Sequence, residues 1–168
     1  GIQENKKEIY LHCSNANTAN EVFQNVLNDR PEIFWCDGNA TSTEYSQSEG
    51  QSQYVVIEPN YLYEGEEKEQ RNQEIESART TCLSGISDLS DEYEKIKYIY
   101  TYLIDNVDYD LDAPDNQNIY SALVGKRSVC AGYAKSCQYL LQQLGIYCIY
   151  VTGQTTDPNG GVADHAWN

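Results

Sequence analysis

The chain is poor in basic residues: 11 Lys and Arg stand against 26 Asp and Glu, a net charge of −15 over 168 residues. Binding nucleic acid requires Lys and Arg to neutralise phosphates. No basic cluster is present, so that class is excluded. The same acidity works against an anionic lipid surface, while it keeps a protein soluble and favours basic substrates. No apolar run approaches the roughly 20 residues that a membrane-spanning helix needs, so no membrane insertion is expected. Residues Gly1–Tyr10 are polar and charged and carry no signal-peptide pattern. Methionine is missing altogether and the first residue is Gly1, which suggests a mature or cloned segment of a longer chain. The six cysteines, Cys13, Cys36, Cys82, Cys130, Cys137 and Cys148, include no C-x-x-C pair. That removes a zinc ribbon and a thioredoxin-type motif. Their wide, irregular spacing does not describe a small stapled scaffold, and most read as buried free thiols. No cofactor is implied.

What is present is an ordinary 40% of hydrophobic residues and 15 Tyr, aromatic surface with a polar handle. The length suits one domain with an N-terminal extension, divided here as residues 1–85 and 86–168. Val22, Phe23, Val26 and Leu27 share a helical face within Ala19–Asn28, and Pro31 stops that helix. Glu32–Cys36 reads as a strand or a loop anchor. Asp37–Gly50, rich in Ser, Thr, Asn and Gly, reads as a loop or hairpin turn. Gln53–Glu58 reads as a strand that Pro59 ends. Glu64–Ala78, continuing toward Ile86, reads as a solvated helix. Ser90 and Asp91 offer N-caps for a helix that presents Tyr93, Ile96, Tyr100, Leu103, Ile104 and Val107 as its core face.

Asp108–Asn118 is an acidic loop. An EF-hand starting at Asp108 needs Gly at Ala113 and Glu at Ile119, so the loop is not one. Tyr120–Val124 reads as a helical turn or two, and Gly125–Ser128 as a turn. From Cys130 a helix runs with Tyr133, Ala134, Cys137, Leu140, Leu141 and Leu144 on one face. It ends at Gly145, with Ile146 as the apolar contact that follows. Ile146–Thr152 reads as a buried strand, Gly153–Gly161 as a turn, and Val162–Asn168 as a second strand carrying His165.

Cys130 and His165 are the candidate catalytic pair. A thiol reacts as its thiolate, and the partial positive charge of a helix N-terminus stabilises that anion. A histidine within reach takes the proton. The same helix end offers backbone N–H groups for the oxyanion of a tetrahedral intermediate. Small Ala131 and Gly132 would let an acyl group approach the backbone. Cys137, two turns beyond Cys130, reads as a buried hydrophobe. Trp167 reads either as a core residue, the favoured alternative, or as a shield for the Cys–His pair.

Ser128–Ile146, with its V-C-x-G-Y/F-A/S start and L-x-x-L-G-I/V end, resembles the nucleophile helix of bacterial transglutaminase-like domains. Asp164-His165-Ala166-Trp167-Asn168 resembles that family's histidine strand. Tyr93–Asp110, with N-x-x-Y-D/N at its end, resembles the helix that precedes them. The resemblance covers about Ser90–Asn168. It implies an α+β, papain-like transglutaminase core, with the nucleophile helix packed on an antiparallel sheet and a helical or mixed N-terminal extension. It also implies a Cys-His-Asp triad acting by acyl transfer on peptide or protein amides. The family's aspartate lies on the strand after the histidine strand, so it is expected beyond Asn168, with the sheet truncated. Asp164 is no substitute, because neighbouring strand residues point to opposite faces.

Two other readings stand beside the enzyme: a non-catalytic cell-surface binding or scaffolding module on the same fold, and a redox role for Cys130. The resemblance also implies an extracellular or cell-surface setting in a Gram-positive bacterium.

Overall fold

The computed structural model describes residues 1–13, 15–46, 53–86, 91–156 and 160–168. The chain is α+β and divides into two compact units, Gly1–Lys68 and Glu69–Asn168. Among the described residues no helix is long and apolar enough to cross a membrane.

In the first unit β1 (Ile9–Leu11), β2 (Cys36–Tyr45) and β3 (Tyr54–Tyr61) form an antiparallel sheet in the order β1-β3-β2. Central β3 buries Val55, Val56 and Ile57. Helix α1 (Ala16–Asp29) starts where the Asn15 side chain accepts the Thr18 N–H at 2.8 Å, satisfying one of the free donors of the first turn. It buries Ala19, Phe23 and Leu27, a narrow stripe with a spacing of four. Val22 and Val26, expected on that face, are 47% and 37% exposed. A helix resting on one small sheet covers less than the full apolar arc.

The loop expected over Asp37–Gly50 is instead mostly strand β2, as far as Tyr45; residues 47–50 lie outside the described ones. Its polar composition reflects an edge position, paired among the described residues only with β3. Pro59 does not end β3. It lies opposite Ala40, beside a register shift between Cys36 and Ala40, and irregular pairing tolerates a residue that cannot donate. Trp35 donates its indole N–H to the Ile2 carbonyl at 3.2 Å. The Lys68 ammonium lies 3.9 Å from the centre of its ring.

Helix α2 (Gly65–Leu83) runs through the division between the units. The division expected from the sequence, at 85/86, falls inside the second unit. The later turns of α2 are tied to that unit by side-chain bonds. Tyr120 donates to Glu74, Tyr139 to Glu76 at 3.0 Å, and Arg79 to Gln143 at 3.0 Å.

The second unit continues with α3 (Glu92–Asn106), β4 (Asp108–Tyr109), α4 (Ile119–Leu123), β5 (Arg127–Ser128), α5 (Cys130–Gln143), β6 (Val151–Thr156) and β7 (Val162–Trp167). Asp91 caps α3 as expected, accepting the Tyr93 N–H; Ser90 lies outside the described residues. The expected core face of α3 is corrected. Leu103 and Val107 of that face are buried as expected, together with Ile99, whereas Tyr93, Ile96, Tyr100 and Ile104 are exposed. The helix has two apolar stripes, and packing selects the one that Tyr98 and Tyr102 flank.

The acidic loop is held by ion pairs, Asp110 with Arg127 and Asp115 with Arg71. Helix α5 ends as expected. Gly145 has φ +72°, its N–H donates to the Gln142 carbonyl, and the Ile146 N–H reaches back to Leu141, both at 3.0 Å. This pair of bonds is the Schellman arrangement, which glycine adopts without a Cβ penalty. The buried strand expected over Ile146–Thr152 is shortened. Ile146 is buried, but Tyr147 is 89% and Ile149 46% exposed, and β6 begins at Val151. Of the turn expected over Gly153–Gly161, the part as far as Thr156 is strand β6; residues 157–159 lie outside the described ones.

Candidate active site

Val129 precedes α5 in extended backbone and offers no side-chain cap. The first helical hydrogen bond runs from the Tyr133 N–H to the Val129 carbonyl at 3.1 Å. The N–H groups of Cys130, Ala131 and Gly132 precede that bond, as the first donors of any helix do. Cys130 is thus the first residue of a helix end that carries partial positive charge.

Buried and half-buried hydrogen bonds fix this helix start. The Asn118 side chain accepts the Tyr120 N–H at 2.8 Å and so caps α4. Ser121 Oγ donates to the Asn118 carbonyl at 2.9 Å and lies 2.7 Å from Ser128 Oγ. Ser128 Oγ donates to the Asn116 carbonyl at 2.9 Å, and the Val129 N–H reaches the same carbonyl at 3.3 Å. The parallel pairing of β4 with β5 holds the segment from its other side.

Gly132 lies directly under this network. A Cβ there would meet Ser128 Oγ at 1.9 Å, the Asn118 carbonyl at 2.9 Å and the Asn116 carbonyl at 3.0 Å. The expectation that Gly132 admits a substrate acyl group is therefore corrected. Gly132 is buried, and its lack of a side chain lets residues 116–118 cross the first turn of α5.

His165 lies on β7, paired with Gly153 of β6. Ala166 is buried against Ala131 and Ala134 of α5, with Cys130 and Tyr150 packed beside them. Strand alternation puts His165 and Trp167 on one face and Asp164 and Ala166 on the other. Asp164 is accordingly directed to its ladder partner, accepting from Gln154 Nε2 at 3.2 Å. Trp167, favoured as core, is 42% exposed. Its ring stacks against His165 with centroids 5.9 Å apart, and it covers Gly153, where a Cβ would meet it at 2.7 Å. The Asn168 side-chain amide donates to the carbonyls of Ala134 at 3.0 Å and Ile149 at 3.2 Å. This ties the end of β7 to α5.

Cys130 and His165 line one open cleft of about 440 Å³, together with Gln117, Ala131, Tyr150 and Asp164. Both are half-buried, and among the described residues no hydrogen bond joins thiol to imidazole. Burial pushes the Tyr150 phenol up, and the nearby Cys130 sulfur adds to the shift. The sequence reading singled out neither Gln117 nor Tyr150. Asn118 before an apolar turn is a visible cap signal, and it brings Gln117 with it; Tyr150 carries no such local sign.

A model of the transglutaminase-like superfamily matches residues 79–168. The chain belongs to the transglutaminase-like superfamily. Among solved structures it is similar to one described as the crystal structure of a TGase, with a TM-score of 0.44 and 11% identity. The match takes in 95% of this chain and 47% of that one, so the chain spans about half the length of that structure. A comparison with curated proteins finds no match.

Proposed function

We propose that the protein carries out cysteine-dependent acyl transfer on peptide or protein amides, with Cys130 as nucleophile and His165 as base. The observation that carries this reading is a cysteine at the uncapped start of a helix, in one cleft with a histidine. It is supported by membership of the transglutaminase-like superfamily over the segment holding both residues.

The Cys130 thiolate attacks the amide carbonyl carbon, forming the C–S bond and placing negative charge on the oxygen. Backbone N–H groups at the start of α5 face that charge and stabilise it. As the intermediate collapses, the C–N bond breaks and the protonated imidazole of His165 gives its proton to the departing amine. The thioester is resolved by water, giving hydrolysis, or by an amine, giving a new amide; His165 takes the proton of the incoming nucleophile. The stacking of His165 on Trp167 describes the cleft without substrate. Catalytic hydrogen bonds commonly tighten only when substrate is bound.

The test is alkylation by iodoacetamide, read peptide by peptide by mass spectrometry, with Cys82 as the buried control. At pH 6 Cys130 is expected to react about tenfold faster than an unpaired thiol, and to lose that advantage in His165→Ala. Reactivity equal in the two proteins sinks the reading, and the domain is then better described as a binding module on the same fold.

A further inference from the structure

After Gly145 the chain turns back along α5. The Asn168 side chain bridges the Ala134 and Ile149 carbonyls, and the Lys135 ammonium lies 5.3 Å from the Tyr150 ring centre. Residues 149 and 150 therefore run beside residues 134 and 135 of the helix, with Cys148 next to Ile149 on one side and Cys137 two positions beyond Lys135 on the other. The Cys137 and Cys148 thiols are in hydrogen-bonding contact. Both are half-buried and free. We infer that Cys137 and Cys148 are a redox site of this protein, closing to a disulfide that staples the nucleophile helix to the segment leading into β6.

The chemistry is thiol–disulfide exchange with a small-molecule disulfide such as oxidised glutathione. A thiolate attacks one sulfur of the small disulfide, whose S–S bond breaks and releases one small thiol. The second cysteine then attacks the mixed disulfide and releases the other small thiol. The two cysteines lose two electrons and two protons, and the small disulfide gains them. Hydrogen bonding from Cys137 holds the Cys148 thiol below its ordinary value. The same bond, together with burial, holds Cys137 above its own. Either cysteine can attack first, and the other then resolves the mixed disulfide. The bridge joins α5, which begins at Cys130, to the segment leading into the ribbon that carries His165, but it stands whether or not that pair is catalytic.

The experiment incubates the chain with oxidised glutathione, blocks remaining thiols with iodoacetamide and maps peptides without reduction. The expected product joins the Cys137 and Cys148 peptides, is two hydrogens lighter than the pair of thiols, and reverts with dithiothreitol. Its thermal midpoint rises by about 5 °C, as closure of a short loop predicts. Cys137→Ser and Cys148→Ser each remove that rise. Stable glutathione adducts on Cys137 or Cys148, or bridging of either to Cys130 instead, overturn the inference. Because peptide mapping is done on the unsubstituted chain, poor folding of a Ser variant leaves the test intact.

Discussion

The two units use β-structure in opposite ways. In the first, β3 has a partner on each side and buries three consecutive residues, Val55, Val56 and Ile57. In the second, β6 and β7 pair only with each other among the described residues, and Ala166 is the one residue of the ribbon that is buried. A strand flanked on both sides spends its side chains on packing. A ribbon resting on a helix through one alanine leaves its other positions, His165 among them, to line a cleft. Stability and chemistry are therefore expected to separate between these regions, and substitutions can test the separation.

The widest contrast pairs two substitutions. Cys130→Ala is expected to lower acyl transfer by at least about 10³-fold, as loss of a triad nucleophile does, with little change in stability. Ile57→Ala is expected to cost about 2–5 kcal/mol by leaving a cavity, and to leave iodoacetamide reactivity at Cys130 in place. Urea denaturation followed by circular dichroism, with an amide-hydrolysis assay, measures both. If Ile57→Ala silences the cleft as fully as Cys130→Ala, the two regions are not separable.

Gly132→Ala sharpens the comparison from within the site. Its Cβ has no room beneath Ser128 and the Asn118 carbonyl, so a destabilisation of about 1–3 kcal/mol is expected from overpacking. A midpoint in urea unchanged from the parent chain would show that residues 116–118 yield at no cost.

Alkaline pH separates the units more gently. Burial pushes the Cys82 thiol up to about 11 from an ordinary 9.0, and burial likewise pushes the Tyr61 phenol up to about 12 from 10.0. Each group is held neutral by folding. Its contribution is complete below its unfolded value and is lost as pH rises through the folded one. The second unit is thus expected to weaken between pH 9 and 11, and the first between 10 and 12. Cys82→Ala removes the earlier loss and leaves the later one. A melting series over that range, followed separately by tyrosine absorbance and circular dichroism, reads the order. The smallest effect belongs to Val162→Thr on the ribbon. Val162 is 62% exposed, and a change within about 0.5 kcal/mol is expected; a larger loss would mean that this face is covered.

Local chemistry made part of this molecule legible in advance. The Gly145 termination of α5 and the Asp91 cap of α3 each depend on one residue satisfying nearby backbone groups, so their positions could be read along the chain. The order of Cys130, helix, strand and His165 was readable for the same reason, as was the opposite facing of Asp164 and His165. The edge strand β2 was not, because an edge that faces water has the composition of a loop. The buried stripe of α3 was legible only at Leu103 and Val107, since Tyr93, Ile96, Tyr100 and Ile104 are as apolar in pattern as Ile99.

By itself, the amino-acid sequence determined the helix ends, the alternation along β7 and the chemical identity of the two cleft residues. These depend on interactions spanning only a few positions. Tertiary packing alone decided which apolar stripe α3 buries, why Gly132 must lack a side chain, that Gln117 and Tyr150 join the cleft, and that Cys137 meets Cys148. In each case the deciding neighbour is supplied by another element, and no local pattern encodes its distance.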